Sequence, residues 1–201
     1  MRENANIQNK TSMNTQEIVC CGMFVALMAV GAKINIVLPL GTGVTVSLQI
    51  LFAVLAGLLL GPRDGFISVL VYLLLGLFGL PIYAHGGGPY YVLKPTYGFL
   101  IGFASAALVT GLLLNMFKKK TRVTYFIAAE LGMLTYYVWG LLYFYIMTNF
   151  LIADTAPIRL KELMTVWFFS TVWIDALITL LAASLGYRLS SVFSYLTSNK
   201  R

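Results

Sequence analysis

An acid inside an apolar run is the residue in this sequence best suited to chemistry. Asp175 lies in the hydrophobic stretch from about Leu163 to Leu189. It sits about 12 residues in, roughly 18 Å from the near end at about 1.5 Å per helical residue. A carboxylate at that depth in hydrocarbon costs about 2.5 to 3.5 kcal/mol, so by default it marks a cavity, an ion path or a ligand contact. Trp167, Thr171, Asp175 and Thr179 recur every four positions, which puts them on one helix face with the acid in a polar strip. That face is expected to look inward. Two readings stay open: a direct ligand contact, or an acid held protonated by Thr hydroxyls, backbone or Glu130.

The second concentration of chemistry is GLFGLPIYAHGGGPYYVLKPTYGFLIGF, from Gly76 to Phe103. Its middle holds Pro81, Pro89, Pro95, the consecutive glycines Gly86 to Gly88, the sole histidine His85, Lys94 and several tyrosines. Proline removes a backbone donor and glycine is costly to order, so a loop without regular structure is predicted between two helices. Such long loops are functional or disordered, and this one is too aromatic for disorder. Metal ligation by His85 finds no second His or Cys pair at ligand spacing, and His85 reads as a loop-surface residue. The triple glycine lacks the strand and GK[ST] of a phosphate cradle, which excludes ATP binding by this chain. No Gly-x-Ser-x-Gly, His-Glu-x-x-His or acid pair supplies a nucleophile or a metal, so neither catalysis nor a cofactor is expected.

The elements that must carry these residues follow from composition. Hydrophobic residues make up 59% of the 201 and charged residues 10%. With a mean hydropathy of +0.84, this describes an all-α integral membrane protein. About 20 apolar residues cross a hydrocarbon core of about 30 Å, so the chain holds about six spans in a single domain. The expected organisation is a polar N-terminal segment (1–17), a membrane domain (18–190) and a basic tail (191–201), with no cleaved leader.

The spans are read as about Ile18 to Leu38, Val44 to Gly61, Phe66 to Leu80, Tyr97 to Phe117, Val123 to Leu151 and Leu163 to Leu189. A linker, Pro39 to Gly43, joins the first pair, GPRDG (Gly61 to Gly65) forms a tight turn, and a loop with Asp154 precedes the last span. The short second and third spans suit a substrate cavity, where irregular backbone is satisfied by protein or ligand. Tyr136, Trp139 and Tyr143 share a face of the fifth and serve either a cavity or an aromatic belt. Gly22, Ala26 and Ala29 make a smooth strip on the first, for packing within the chain or for docking a partner subunit. Cys20 and Cys21 read as small apolar residues.

Positive charge sets the orientation. One arrangement places Arg2, Lys10, Arg63, Lys118 to Lys120, Arg122, Arg188, Lys200 and Arg201 on one side, so both termini are predicted to be cytoplasmic. The net charge of +7 matches this asymmetry and anionic lipid, with no need of a nucleic-acid partner.

GLLLGPRDGFISVLVYLLLGLFGLPIYAHGGGPYYVLKPTYGFLIGF, preceded by VTVSLQ and followed by an acid in the last span, closely resembles the biotin-specific substrate-binding (S) component of energy-coupling factor (ECF) transporters. The resemblance is strongest from about Val44 to Gly102. It implies a six-helix S-component bundle in the cell membrane, a vitamin pocket open to the outside, and as partners a transmembrane coupling protein and two ATPase subunits. The family's last-span motif is similar to an Asp followed three residues later by Lys, whereas Ile178 stands there in this chain. Lys33 or Lys94 could replace that base, or backbone donors and water could hold the ligand's carboxylate. Another small nutrient bound by the same fold is the alternative.

Biotin offers two ureido N–H donors, a carbonyl, an apolar thioether ring and an anionic tail. Asp175 suits the donors, with Thr171 beside it. Gln49, Thr45 or backbone N–H groups around Gly87 suit a carbonyl or carboxylate. Tyr83, Tyr91 or Trp139 suit the apolar ring, and Lys94 the anion.

Overall fold

The computed structural model describes residues 13–37, 45–152 and 157–198. The Pro39 to Gly43 linker, Asp154 and the terminal charges Arg2, Lys10, Lys200 and Arg201 lie outside the described residues.

Helix α1 (Thr15–Lys33) starts where Asn14 forms a capping box: its N–H donates to Glu17 Oε2 at 2.8 Å and its side chain accepts from Thr15 at 2.9 Å. The helix stops at Lys33, short of the expected Leu38. β-Branched residues take over there, and β1 (Asn35–Val37) pairs antiparallel with β2 (Thr45–Ser47), Asn35 opposite Ser47 and Val37 opposite Thr45. Three residues expected in a helix and three at the head of the next span are therefore strand.

Helix α2 (Gln49–Leu77) contains both short spans, because it is bent at Gly61, where φ is 86° and ψ is −179°. Only glycine takes that conformation without strain, and Pro62 restarts the helix with its missing N–H at a position that needs no donor. The bend reverses the chain: a Cβ on Gly65 would lie 2.9 Å from the Gly57 nitrogen, and Gln49 at one end reaches Tyr72 near the other. The tight turn expected at GPRDG is thus a one-residue hinge within a helical hairpin.

The loop that follows is more ordered than its composition suggests. Tyr83 and Gly86 bridge across a two-residue turn, and Pro89–Leu93 form a 3₁₀ turn with proline at its start. Helix α3 (Tyr97–Met116) packs between α2 and α4 (Arg122–Ile146), which continues as a π-helical turn, Met147–Leu151. The approach is close where side chains vanish, since a Cβ on Gly57 would strike the Ala107 carbonyl.

The last span is composite. α5 (Leu160–Leu163) leads through a π-helical stretch, Met164–Phe169, and a turn at Ser170 and Thr171 into α6 (Val172–Ser198). Asp175 therefore stands in the first turn of α6, next to an irregular backbone segment, and α6 continues into the stretch read as a tail. Among the described residues five helices are long and apolar enough to cross a membrane, and folding α2 in two gives six crossings. The protein is a multi-pass α-helical membrane protein.

Candidate ligand-binding site

A cavity of about 120 Å³ lies between the loop end of the bundle and Asp175. β2 and the start of α2 supply Thr45, Ser47 and Gln49. The central loop supplies Ala84, His85, Tyr91 and Thr96, α3 supplies Phe99, Leu100 and Phe103, α4 supplies Tyr136, and the last span supplies Trp167, Thr171 and Asp175.

Each polar group at the inner end is held in place. Asp175 is 4% exposed and accepts a hydrogen bond from the Tyr137 hydroxyl. Thr171 Oγ lies 2.7 Å from that hydroxyl and 2.7 Å from the Trp167 carbonyl. Thr179 belongs to the same strip but points past the cavity, where it donates to Glu130 at 2.8 Å. On the opposite wall Ser47 donates to Gln49 Oε1 at 3.1 Å, and Gln49 Nε2 donates to Tyr72, which donates to the Ile82 carbonyl at 3.0 Å. A primary amide has two donors and two acceptor lone pairs, so Gln49 keeps one of each for a ligand.

The walls between these groups are aromatic. Phe103 stacks on Tyr136 at 4.9 Å and Phe99 stacks on Trp167 at 6.2 Å, giving rigid apolar surface. Tyr91 packs 4.6 Å from Tyr83. Burial pushes the Tyr91 hydroxyl above the usual tyrosine range, with a backbone hydrogen bond from His85 pulling the other way. It is therefore a neutral donor at physiological pH.

Of the residues singled out from the sequence, Asp175, Thr171, Gln49, Thr45 and Tyr91 meet at this cavity. Five others do not. Tyr83 is fully buried behind Tyr91, its hydroxyl bonded to the Leu73 carbonyl, so it supports the wall. Gly87 packs against the end of α2, where a Cβ would strike the Leu80 carbonyl, and the Gly86 and Gly88 amides are already bonded to Tyr83 and Gly76. Lys94 lies 4.3 Å from the Tyr91 ring centroid, outside the cavity lining. Lys33, the other candidate base, donates to the Tyr83 carbonyl at 2.9 Å. Trp139 is 48% exposed on the outside of the bundle, whereas Tyr136 from the same face lines the cavity.

His85, read as a surface residue, is exposed and also borders the cavity. Phe99, Phe103 and Tyr137 carried no signal in the sequence. Their helices are apolar all round, because lipid outside is as apolar as the protein interior, so periodicity does not separate the cavity face from the lipid face.

A larger cleft of about 750 Å³ opens at the other end, between Asn14, Glu17, the Gly61 bend, Arg63, Asn115 and Lys120. Among the described residues no aromatic ring lines it. The smaller cavity, with its buried acid and rigid rings, is the better small-molecule site. The shared cleft also brings Arg63 and Lys120 to one end of the bundle, away from His85.

The model of the BioY family matches residues 5–195. The chain belongs to the BioY family. A curated BioY relative, the probable biotin transporter of Lysinibacillus sphaericus, is 41% identical over 180 residues, covering 90% of this chain and 89% of its own. The biotin transporter BioY of Thermotoga maritima is 34% identical, covering 88% of this chain and 97% of its own. Among solved structures, the S-component for biotin from an ECF-type ABC transporter, a crystal structure at 2.1 Å, superposes with a TM-score of 0.75. At 22% identity over 90% of this chain and 95% of that one, it fixes the fold as that of an S component. The BioY assignment and this fold together match the six-crossing bundle described above.

Proposed function

We infer that this protein captures biotin at the membrane surface as the substrate-binding subunit of a vitamin transporter. The observation that carries the reading is the cavity itself, in a chain of the BioY family. A buried carboxylate faces stacked aromatic rings across a space with a bound amide on its far wall. Asp175 accepts from the ureido N–H groups, with Thr171 and Tyr137 fixing its position. Gln49 and Thr45 donate to or accept from the ring carbonyl. Phe99, Phe103, Tyr136, Tyr91 and Trp167 enclose the apolar bicycle. These groups bind and orient, and no step of bond making is assigned to them.

Energy for uptake comes from two ATPase subunits through a transmembrane coupling protein that docks on α1. Gly22 and Ala26 are exposed on that helix and Ala29 is half-buried, and a Cβ on Gly22 would meet nothing within 4 Å. This small-residue face is open for a partner helix. The pocket opens to the outside and the Arg63 and Lys120 end faces the cytoplasm.

Expression in a biotin-requiring bacterium that lacks its own transporter tests the reading. Growth on trace biotin and accumulation of labelled biotin are expected, and Asp175→Asn should abolish both at trace concentration. Normal accumulation of another vitamin in place of biotin would assign the fold to a different nutrient.

A further inference from the structure

The cavity has opposite chemical characters at its two ends. Asp175 at the inner end is an acceptor for N–H donors, while the loop end is bordered by Thr45, Ser47, His85, Tyr91 and Thr96. Among the described residues that line it there is no lysine or arginine. Lys33 is committed to the Tyr83 carbonyl and Lys94 lies over the Tyr91 ring, so neither replaces a cation in the lining. Among the described lining residues, His85 is the one whose side chain can carry positive charge.

Its position is fixed by the fold. Ala84 and His85 are the central residues of the turn closed by Tyr83 N–H to the Gly86 carbonyl at 2.9 Å. That turn is pinned from three sides: the Tyr83 hydroxyl to Leu73, Lys33 to the Tyr83 carbonyl at 2.9 Å, and Gly88 N–H to Gly76 at 2.7 Å. So anchored a turn holds the exposed imidazole at the cavity mouth.

We propose that His85 binds the carboxylate of the ligand's tail at the mouth of the cavity, and so makes recognition of the free acid depend on pH. The assignment rests on biotin being the ligand. Only the protonated imidazole carries a charge that attracts an anion, and protonation is favoured by lower pH, so the attraction for a carboxylate strengthens as pH falls. The other charged or titratable groups around it are Lys33 from the end of α1, Lys94 and Tyr91 from the loop, and Asp175 at the far end of the cavity. Protonation of Asp175 would act in the opposite sense, but through the ureido ring, and equally for any ligand carrying that ring.

The test therefore compares labelled biotin with its methyl ester, which keeps the ring and lacks the anion. Binding to the purified protein is measured at pH 6 and pH 8. For the parent, the preference for the acid over the ester should be about three- to tenfold greater at pH 6 than at pH 8, the size of an ion pair at a partly exposed site. His85→Gln should make that preference independent of pH. His85→Lys should keep it high at both pH values. An acid-to-ester preference that is the same at both pH values in the parent, or unchanged by His85→Gln, would overturn the proposal while leaving biotin as ligand. A parent that binds neither compound overturns the biotin reading, and the role of His85 with it.

Discussion

The Tyr137 hydroxyl on α4 donates to the Asp175 carboxylate on α6, joining two helices at the inner end of the cavity. Asp175 is therefore oriented from outside the ligand space, leaving the acid at the cavity wall. Thr171, one turn earlier, supports the same hydroxyl at 2.7 Å. The arrangement answers the cost of placing a carboxylate in a membrane: the acid is hydrogen-bonded and borders a polar cavity.

Removing that donor is expected to cost both stability and affinity. Tyr137→Phe keeps the ring that packs against Phe168 at 5.0 Å but leaves a buried acid short of a partner. The expected loss is about 1 to 3 kcal/mol of stability, with weaker biotin binding. Thermal unfolding in detergent, with and without biotin, measures both. Unchanged stability together with unchanged affinity would show that Asp175 is positioned by something else.

How much of this was visible beforehand depended on the environment of each residue. The acid strip was legible because a charge and two threonines stand out in an apolar span, and Trp167, Thr171 and Asp175 do share the cavity. Gln49 was legible as a polar residue at the head of a short span. Tyr137 was not, since a tyrosine among aromatics in a membrane helix reads equally as interface, packing or ligand support. Tyr83, offered as a cover for the apolar ring, packs behind the wall instead: a Cβ on Gly76 would strike its ring, so the bare glycine makes room for it, which a loop sequence does not reveal. The bend at Gly61 was recognisable from GPRDG, whereas the β1–β2 pairing was hidden in a run whose hydrophobicity suited a helix.

The exposed small-residue face of α1 makes a separate prediction. Among the described residues nothing lies within 4 Å of a Cβ on Gly22 and Ala26 is exposed, so with Gly22 or Ala26 replaced by Leu, folding and biotin binding should persist. Uptake in cells supplying a coupling module should fall by about tenfold or more if a partner helix docks there. Binding lost together with uptake would identify the strip as internal packing.

The clustering of Arg63 and Lys120 at one end and His85 at the other makes the orientation testable. Single cysteines at Lys119 and His85, in a background with Cys20 and Cys21 replaced by Ala, can be labelled in intact cells with a membrane-impermeant maleimide. The His85 position is expected to react and the Lys119 position to stay protected until the cells are lysed. The reverse pattern would turn the cavity toward the cytoplasm and end the case for capture from outside.

Equilibrium binding of labelled biotin to the purified parent and to Asp175→Asn, each checked for folding by thermal unfolding, bears most directly on the central claim. Asn is nearly isosteric and cheaper to bury than a charge, so the variant should fold. Losing a charge-assisted hydrogen bond, about 1.5 to 3 kcal/mol, should weaken binding by roughly 10- to 100-fold. The parent should bind saturably and resist displacement by riboflavin, thiamine or lipoate. A folded parent that does not bind biotin, or a folded Asp175→Asn protein that binds it as tightly as the parent, would contradict the claim.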